Sequence, residues 1–170
     1  MQIGKHSPKL VNLRKAIRQG SLTPDGLLPI EGPILLEEAV RSGIEIAELF
    51  VRAGTKHPEV PFKEGHEIPS DVFKTLQETE HSQGILATVR PRQFTLIDIL
   101  DISPALIVVL ARLQDPGNVG TILRVAEAFA ATGIVAMHGT ASFHNGKAPS
   151  AVAKGRGVYA RYDHASCSGG

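Results

Sequence analysis

The stretch Ala105–Ala111, ALIVVLA, carries no polar side chain. A run of this length is far too short to cross a membrane, which takes about 20 apolar residues. A strand wet on one face alternates apolar and polar residues, whereas a parallel strand covered on both faces is apolar throughout. The sequence therefore predicts a buried strand over 105–111. A loop follows at Arg112–Gly117, then a helix over about 119–132, then a further apolar strand at Ile134–Met137. Strand, helix and strand in that order make a βαβ unit with a right-handed crossover. Ligands of such sheets gather at the carboxyl ends of the strands, and here that edge carries Gln114–Asn118.

The residues before this unit also alternate. Leu10, Leu13 and Ile17 recur at spacings of three and four, which predicts an amphipathic helix over 8–19. Leu27–Ile30 reads as a strand, and Pro29, having no N–H to donate, places it at a sheet edge. In EGPILLEEAVRSG, Gly32 suits the cap region, Pro33 the first turn and Gly43 the stop, with Leu35, Leu36, Ala39 and Val40 as the buried stripe. Ile46–Val51 and Ile85–Val89 read as strands, Ser70–Leu76 as a short helix capped by Ser70, and residues 52–69 as a polar loop. Alternation over residues 21–90 gives a compact α/β layer structure. Arg90–Pro104 reads as a connector.

The net charge of +1 makes the chain no polycation. Its distribution matters more, because Lys5, Lys9, Arg14, Lys15 and Arg18 stand in the first 20 residues without an acidic neighbour. Such a patch suits a polyanion, or is simply a solvated helix face. The single cysteine, Cys167, excludes an internal disulfide and a thiolate metal site, as in a reducing compartment. With no apolar signal core and no membrane-length run, a cytoplasmic chain is expected. The seven histidines show no tight spacing with acidic or thiol partners, so surface or loop positions and no metal site are expected.

The densest chemistry lies in LQDPGNVGTILRVAEAFAATG, residues 113–133. Asp115-Pro116-Gly117 has turn chemistry, with proline setting φ and glycine supplying a positive φ, and Asn118 suits the helix N-cap. Val119, Ile122, Leu123, Ala126, Phe129 and Ala130 form the apolar stripe. Gly120, Thr121, Arg124 and Ala128 share another face, where small residues surround one long cation able to hold a phosphate or carboxylate bidentately. The bland alternatives stay open: Asn118 as a cap only, and Arg124 as the partner of Glu127. Neither the dinucleotide fingerprint nor a P-loop is present.

This segment resembles the first signature motif of the SpoU (TrmH-like) RNA 2′-O-ribose methyltransferases of the SPOUT superfamily. LVNLRKAIRQGSLTPDGLLPIEGPILLEEAVRSGIEIAELFV and FKTLQETEHSQGILATVRP resemble the substrate-binding domain that precedes the catalytic domain in that family, so the likeness covers roughly residues 8–148. The resemblance implies an α/β protein in two parts. A small α/β sandwich like that of some ribosomal proteins, residues 1–97, would bind RNA, and residues 105–148 would begin an α/β-knot methyltransferase domain. It implies methyl transfer from S-adenosylmethionine to a ribose 2′-hydroxyl of rRNA or tRNA, a homodimer, and Asn118 and Arg124 in the active site. Lys5, Lys9, Arg14, Lys15, Arg18 and Glu31 are the candidate RNA contacts, with Glu31-Gly32 a structural junction first. The rival is a non-catalytic RNA-binding protein using residues 1–90 alone.

Two later family motifs, which build the knot and the cofactor pocket, are not found. From Pro149 the likeness is lost, and Gly, Ala and Ser supply half of residues 139–170. The expectation is a frame slip near Ala148 or a truncation, a disordered tail over 149–170, an incomplete pocket that holds S-adenosylmethionine weakly or not at all, and a strand at 134–137 stripped of its neighbours.

Overall fold

A computed structural model describes residues 7–77, 82–91, 96–141 and 159–162. The first unit begins with helix α1, Pro8–Gln19, which buries Leu10, Leu13 and Ala16 and ends where Gly20 adopts a left-handed conformation. Strand β1 (Leu28–Glu31) leads through Gly32, φ 93°, into α2 (Pro33–Arg41), with proline in the first turn. Strands β2 (Ile46–Arg52) and β3 (Glu64–Ile68), the short helix α3 (Ser70–Phe73) and strand β4 (Ile85–Val89) complete it.

The sheet order is β1-β4-β2-β3. β4 runs antiparallel to β1 and β2, and β3 runs parallel to β2. Alternate residues of the two central strands face opposite layers. Leu49, Val51, Ile85, Ala87 and Val89 pack with Leu28, Ile30 and the α2 residues Leu36 and Ala39. Phe50 and Leu86 pack with Leu10 and Leu13 of α1 and with Ile68, Val72, Phe73 and Leu76. The result is an α/β sandwich with helices on both faces. All five residues of β4 are buried, as a central strand covered twice requires. Pro29 lies on the edge strand, where its missing N–H costs nothing.

Two expectations change here. Residues 52–69 are not all loop, because β3 occupies Glu64–Ile68. Ser70 does not cap α3; Pro69 holds the cap position, and no side chain hydrogen bonds to that helix start.

After the short helix α4 (Leu96–Leu100), strand β5 (Ile107–Leu110), helix α5 (Pro116–Ala128) and strand β6 (Gly133–Met137) form the parallel βαβ unit. β5 corrects the expectation of a strand covered on both faces: Leu110 is buried, but Val109 is 59% exposed. A further strand, β7 (Tyr159–Tyr162), pairs parallel with β6, so the order is β5-β6-β7. β6 therefore keeps a neighbour on each side, and the expectation of a disordered tail over 149–170 is corrected at these four positions. No helix among the described residues is long and apolar enough to cross a membrane.

Candidate functional site

The carboxyl edge of β5 and β6 is tied together by short hydrogen bonds. The Ala141 amide donates to the Leu113 carbonyl at 2.8 Å, and the Thr140 hydroxyl to the Leu110 carbonyl at 2.9 Å. Arg112 turns the chain here with φ 54°, a left-handed backbone rare for a residue with a side chain. Its Cγ lies against Gly139, where an added Cβ would come within 3.5 Å. These links hold the two loops beside the start of α5.

Asp115, not Asn118, caps that helix. Its Oδ1 accepts from the Gly117 amide at 3.2 Å and its Oδ2 from the Asn118 amide at 3.0 Å. Proline fits the first helical position because its absent N–H has no partner there, so the residue before it becomes the cap. Gly117 is then helical, and the positive φ expected of it does not occur. With a carboxylate already seated on the helix start, those amides are spent.

Freed from capping, Asn118 is exposed on the first turn of α5. Asn118, Thr121 and Arg124, at spacings of three, form an exposed row along the helix. The Thr121 hydroxyl donates to the Gly117 carbonyl at 3.0 Å and accepts from Arg124 Nη2 at 3.2 Å. The Arg124 side chain thus leans toward the helix N-terminus, and so toward Asn118 and the loop edge, as long helical side chains do. Gly120 leaves this row and is buried beside Val119, Leu123 and Ala126. The predicted stripe also stops early: Phe129 is 75% exposed, and Ala130 takes φ 56°.

The candidate RNA contacts separate. Lys5 lies outside the described residues. Lys9 turns into the fold, where its ammonium meets Glu48 at 2.5 Å and Glu64 at 2.7 Å. Arg14 Nη2 donates to the Thr75 hydroxyl at 2.8 Å. Lys15 and Arg18 are exposed, and Glu31 is half-buried where β1 meets α2.

Sequence reasoning missed the surroundings of Lys9. His66 is buried and stacks on Phe50 with ring centroids 5.0 Å apart, and its Nε2 lies 3.6 Å from Glu64. Glu48, Glu64 and His66 bring ligand atoms within 4.8 Å of one another. Lys9 already supplies the cation between these carboxylates, so the cluster acts as an ion-pair pin for α1. The signal was Glu64-x-His66, two residues on one face of a strand. Burial pushes the His66 imidazole below its ordinary range, and the nearby Lys9 ammonium adds to this. The hydrogen bond from Lys9 holds the Glu64 carboxyl below the usual range.

Comparison with known proteins gives this geometry its context. Residues 29–95 match the family described as RNA 2′-O ribose methyltransferase substrate binding, and residues 105–167 match the SpoU rRNA Methylase family. Each of the two parts of the chain thus matches a SpoU-type family model, the first that of the substrate-binding domain and the second that of the methylase. The match to residue 167 also corrects the expectation that likeness ends at Pro149. The chain is 30% identical over 142 residues to the 23S rRNA (guanosine(2553)-2′-O)-methyltransferase RlmP of Bacillus subtilis, covering 82% of this chain and 55% of that protein. An AdoMet-bound rRNA methyltransferase from Sinorhizobium meliloti superposes with a TM-score of 0.74 at 22% identity, covering 95% of this chain and 65% of that one. The SpoU methyltransferase AviRb from Streptomyces viridochromogenes, in complex with AdoMet, gives a TM-score of 0.74 at 18% identity over 92% of this chain and 64% of that one. These two likenesses establish the shared fold. The chain spans less than two thirds of the length of each of these relatives.

Asp115, Thr140 and the Ala141 amide stand at the carboxyl edge of the sheet, where ligands of such folds gather. Each is already hydrogen-bonded within the fold. Among the described residues these groups first serve the fold, and the cofactor is assigned to none of them.

Proposed function

We propose that this chain carries the RNA-binding and substrate-activating parts of an S-adenosylmethionine-dependent RNA 2′-O-ribose methyltransferase. Residues 1–97 are the RNA substrate-binding domain, and residues 105–148 begin the methyltransferase domain. The observation that carries the reading is the order of the two family matches, with the Asn118–Thr121–Arg124 row standing at the carboxyl edge of the second unit's sheet. The substrate class is ribosomal or transfer RNA, since the relative from Bacillus subtilis acts on 23S rRNA.

S-adenosylmethionine, when bound, supplies the electrophilic methyl group. The residues of this chain act on the other reactant. A ribose hydroxyl is a poor nucleophile, and a fixed cation beside it stabilises the negative charge that develops on its oxygen as the proton passes to water. Arg124, steadied by Thr121, supplies that cation, and Asn118 offers an amide to orient the ribose. A 2′-hydroxyl is the group that separates RNA from DNA. A cytoplasmic setting suits such a substrate. Self-association into a homodimer is favoured by the exposed apolar side chains Leu106, Val109, Val125 and Phe129.

The test is methyl transfer from labelled S-adenosylmethionine to RNA. Arg124→Ala is expected to lower the rate by roughly 100- to 1,000-fold, as loss of one oxyanion-stabilising group does. A variant within threefold of the parent, or RNA binding with no methyl transfer by the parent chain, defeats the catalytic reading and leaves an RNA-binding module.

A further inference from the structure

The basic residues of α1 do not act together, and their division creates a cleft. Lys9 is bound by Glu48 and Glu64. Arg14 and Arg18, one helical turn apart, instead line a cleft of about 490 Å³ that Lys74 closes from the other side. Ile17 and Leu76 form its apolar floor. Among the described residues, none of these three cations forms an ion pair, and the cleft lining contains no carboxylate.

The cleft is held open by a short relay. The Thr75 hydroxyl donates to the Val72 carbonyl at 2.7 Å, which leaves its lone pairs to accept from Arg14 Nη2 at 2.8 Å. Arg14 Nε is buried without a partner. Arg14 is therefore held by a neutral hydroxyl, with no carboxylate paired to it among the described residues. Three converging cations on a small apolar floor attract an oxyanion, and guanidinium groups suit phosphate in particular because they donate in pairs. The volume lies in the range of about 300–1,000 Å³ usual for ligand clefts, and so admits a phosphate with its attached sugar.

We propose that this cleft, formed by Arg14, Arg18 and Lys74, holds a backbone phosphate of the RNA substrate. The proposal rests on the RNA-binding reading above and names the contact. Lys74 enters it from a segment 60 residues away from Arg14 in sequence, which the amino-terminal basic patch alone does not reveal. The contact positions RNA without reading its sequence, because phosphate carries none.

The experiment measures binding of a labelled single-stranded RNA to the full chain by anisotropy across a salt series. Arg18 and Lys74 are exposed, so Arg18→Ala/Lys74→Ala leaves the fold intact, and Lys56→Ala, an exposed cation outside the cleft, is the charge control. The slope of log Kobs against log salt is about −0.7 per phosphate on a single strand, so losing the one phosphate contact in the double variant should flatten it by about 0.7. Affinity should fall to the same degree for RNAs of different sequence. A double variant that matches Lys56→Ala overturns the cleft while leaving RNA binding in place. If the parent chain binds no RNA, and inorganic phosphate alone perturbs Thr75 and Gln77 in an NMR titration, both the cleft's occupant and the reading beneath it fail.

Discussion

The start of α5 sets where the Asn118–Thr121–Arg124 row stands, and Asp115 holds that start. Asp115→Ala removes both cap hydrogen bonds, at 3.2 and 3.0 Å. Losing an N-cap costs about 1 kcal/mol within a range of roughly 0.5–2. Losing a carboxylate at the positive end of the helix dipole adds about 0.3–1 kcal/mol at an exposed position. The substitution should therefore cost about 1–2 kcal/mol, which multiplies the open population of the first turn by roughly 5 to 30. Asp115→Asn keeps the cap and loses only the charge, so its cost should be about 0.3–1 kcal/mol. Asn118→Ala is the decisive control. Asn118 is exposed inside the helix, where alanine is the better helix former by up to about 0.7 kcal/mol, so this variant should be neutral or slightly stabilising. Urea unfolding gives the global cost, and amide hydrogen exchange at Gly117 and Asn118 gives the local one, with exchange faster by the same roughly 5- to 30-fold in Asp115→Ala. If Asn118→Ala is as costly as Asp115→Ala, or if alanine and asparagine at position 115 behave alike, the cap assignment is wrong.

Further expectations follow from the two cores. His66 is neutral in the fold because burial lowers its pKa below the ordinary 6.5, so the unfolded chain binds the extra proton first. Stability is full above pH 6.5 and is lost as the pH falls from there through the lower folded value. His66→Leu, which also removes two buried ring nitrogens without partners, should stabilise the chain and flatten its stability between pH 7.5 and 5.5; an unchanged slope in denaturant titrations would count against this. Gly84 has φ 75°, and a Cβ there would lie 2.7 Å from the Thr55 hydroxyl, so Gly84→Ala should cost more than the ~1 kcal/mol of ordinary glycine strain, read as a lower urea midpoint. Leu123 is fully buried, and Leu123→Ala should cost about 2–5 kcal/mol. Val109→Ala, on the open face of β5, should change stability by less than about 0.5 kcal/mol in dilute solution, and a larger cost would show that face to be covered.

The elements that were legible in the sequence are those whose burial follows a simple period. α1, α2, β2 and β4 each bury a run of aliphatic residues, and each stands where its pattern puts it. β3 was not legible, because EGHEI offers one aliphatic side chain and hides a second core residue in His66. An imidazole counts as polar in a pattern, yet here Phe50 gives it an aromatic partner. The cap was misplaced for a different reason. Asp115 and Asn118 are equally good caps in isolation, and Pro116 between them decides, because proline at the first helical position assigns the cap to its predecessor. That rule was available in the sequence. The openness of β5 was not, since an apolar run reports what a strand needs against it and not whether the surrounding residues supply it.

Charge shows the same gap between a residue and its availability. The first 20 residues hold five cations and no acid, which reads as one patch. In the fold, Lys9 neutralises Glu48, which is nearly buried and also accepts from the Thr88 hydroxyl at 3.1 Å, so that cation serves the sandwich and is withheld from any ligand. Arg14 and Arg18 remain on the outer side of the same helix, and Lys74 joins them. The two faces of α1 thus separate a cation that holds the domain together from cations that can hold something else. The pairing of Lys9 also explains how Glu48 stands on the sheet without a large cost in stability, since a nearly buried carboxylate there needs a fixed positive partner. Removing Lys9 would leave Glu48 uncompensated and loosen α1, moving Arg14 and Arg18 with it. Any loss of RNA binding in such a variant would then come from displacement of the cleft and not from loss of a contact.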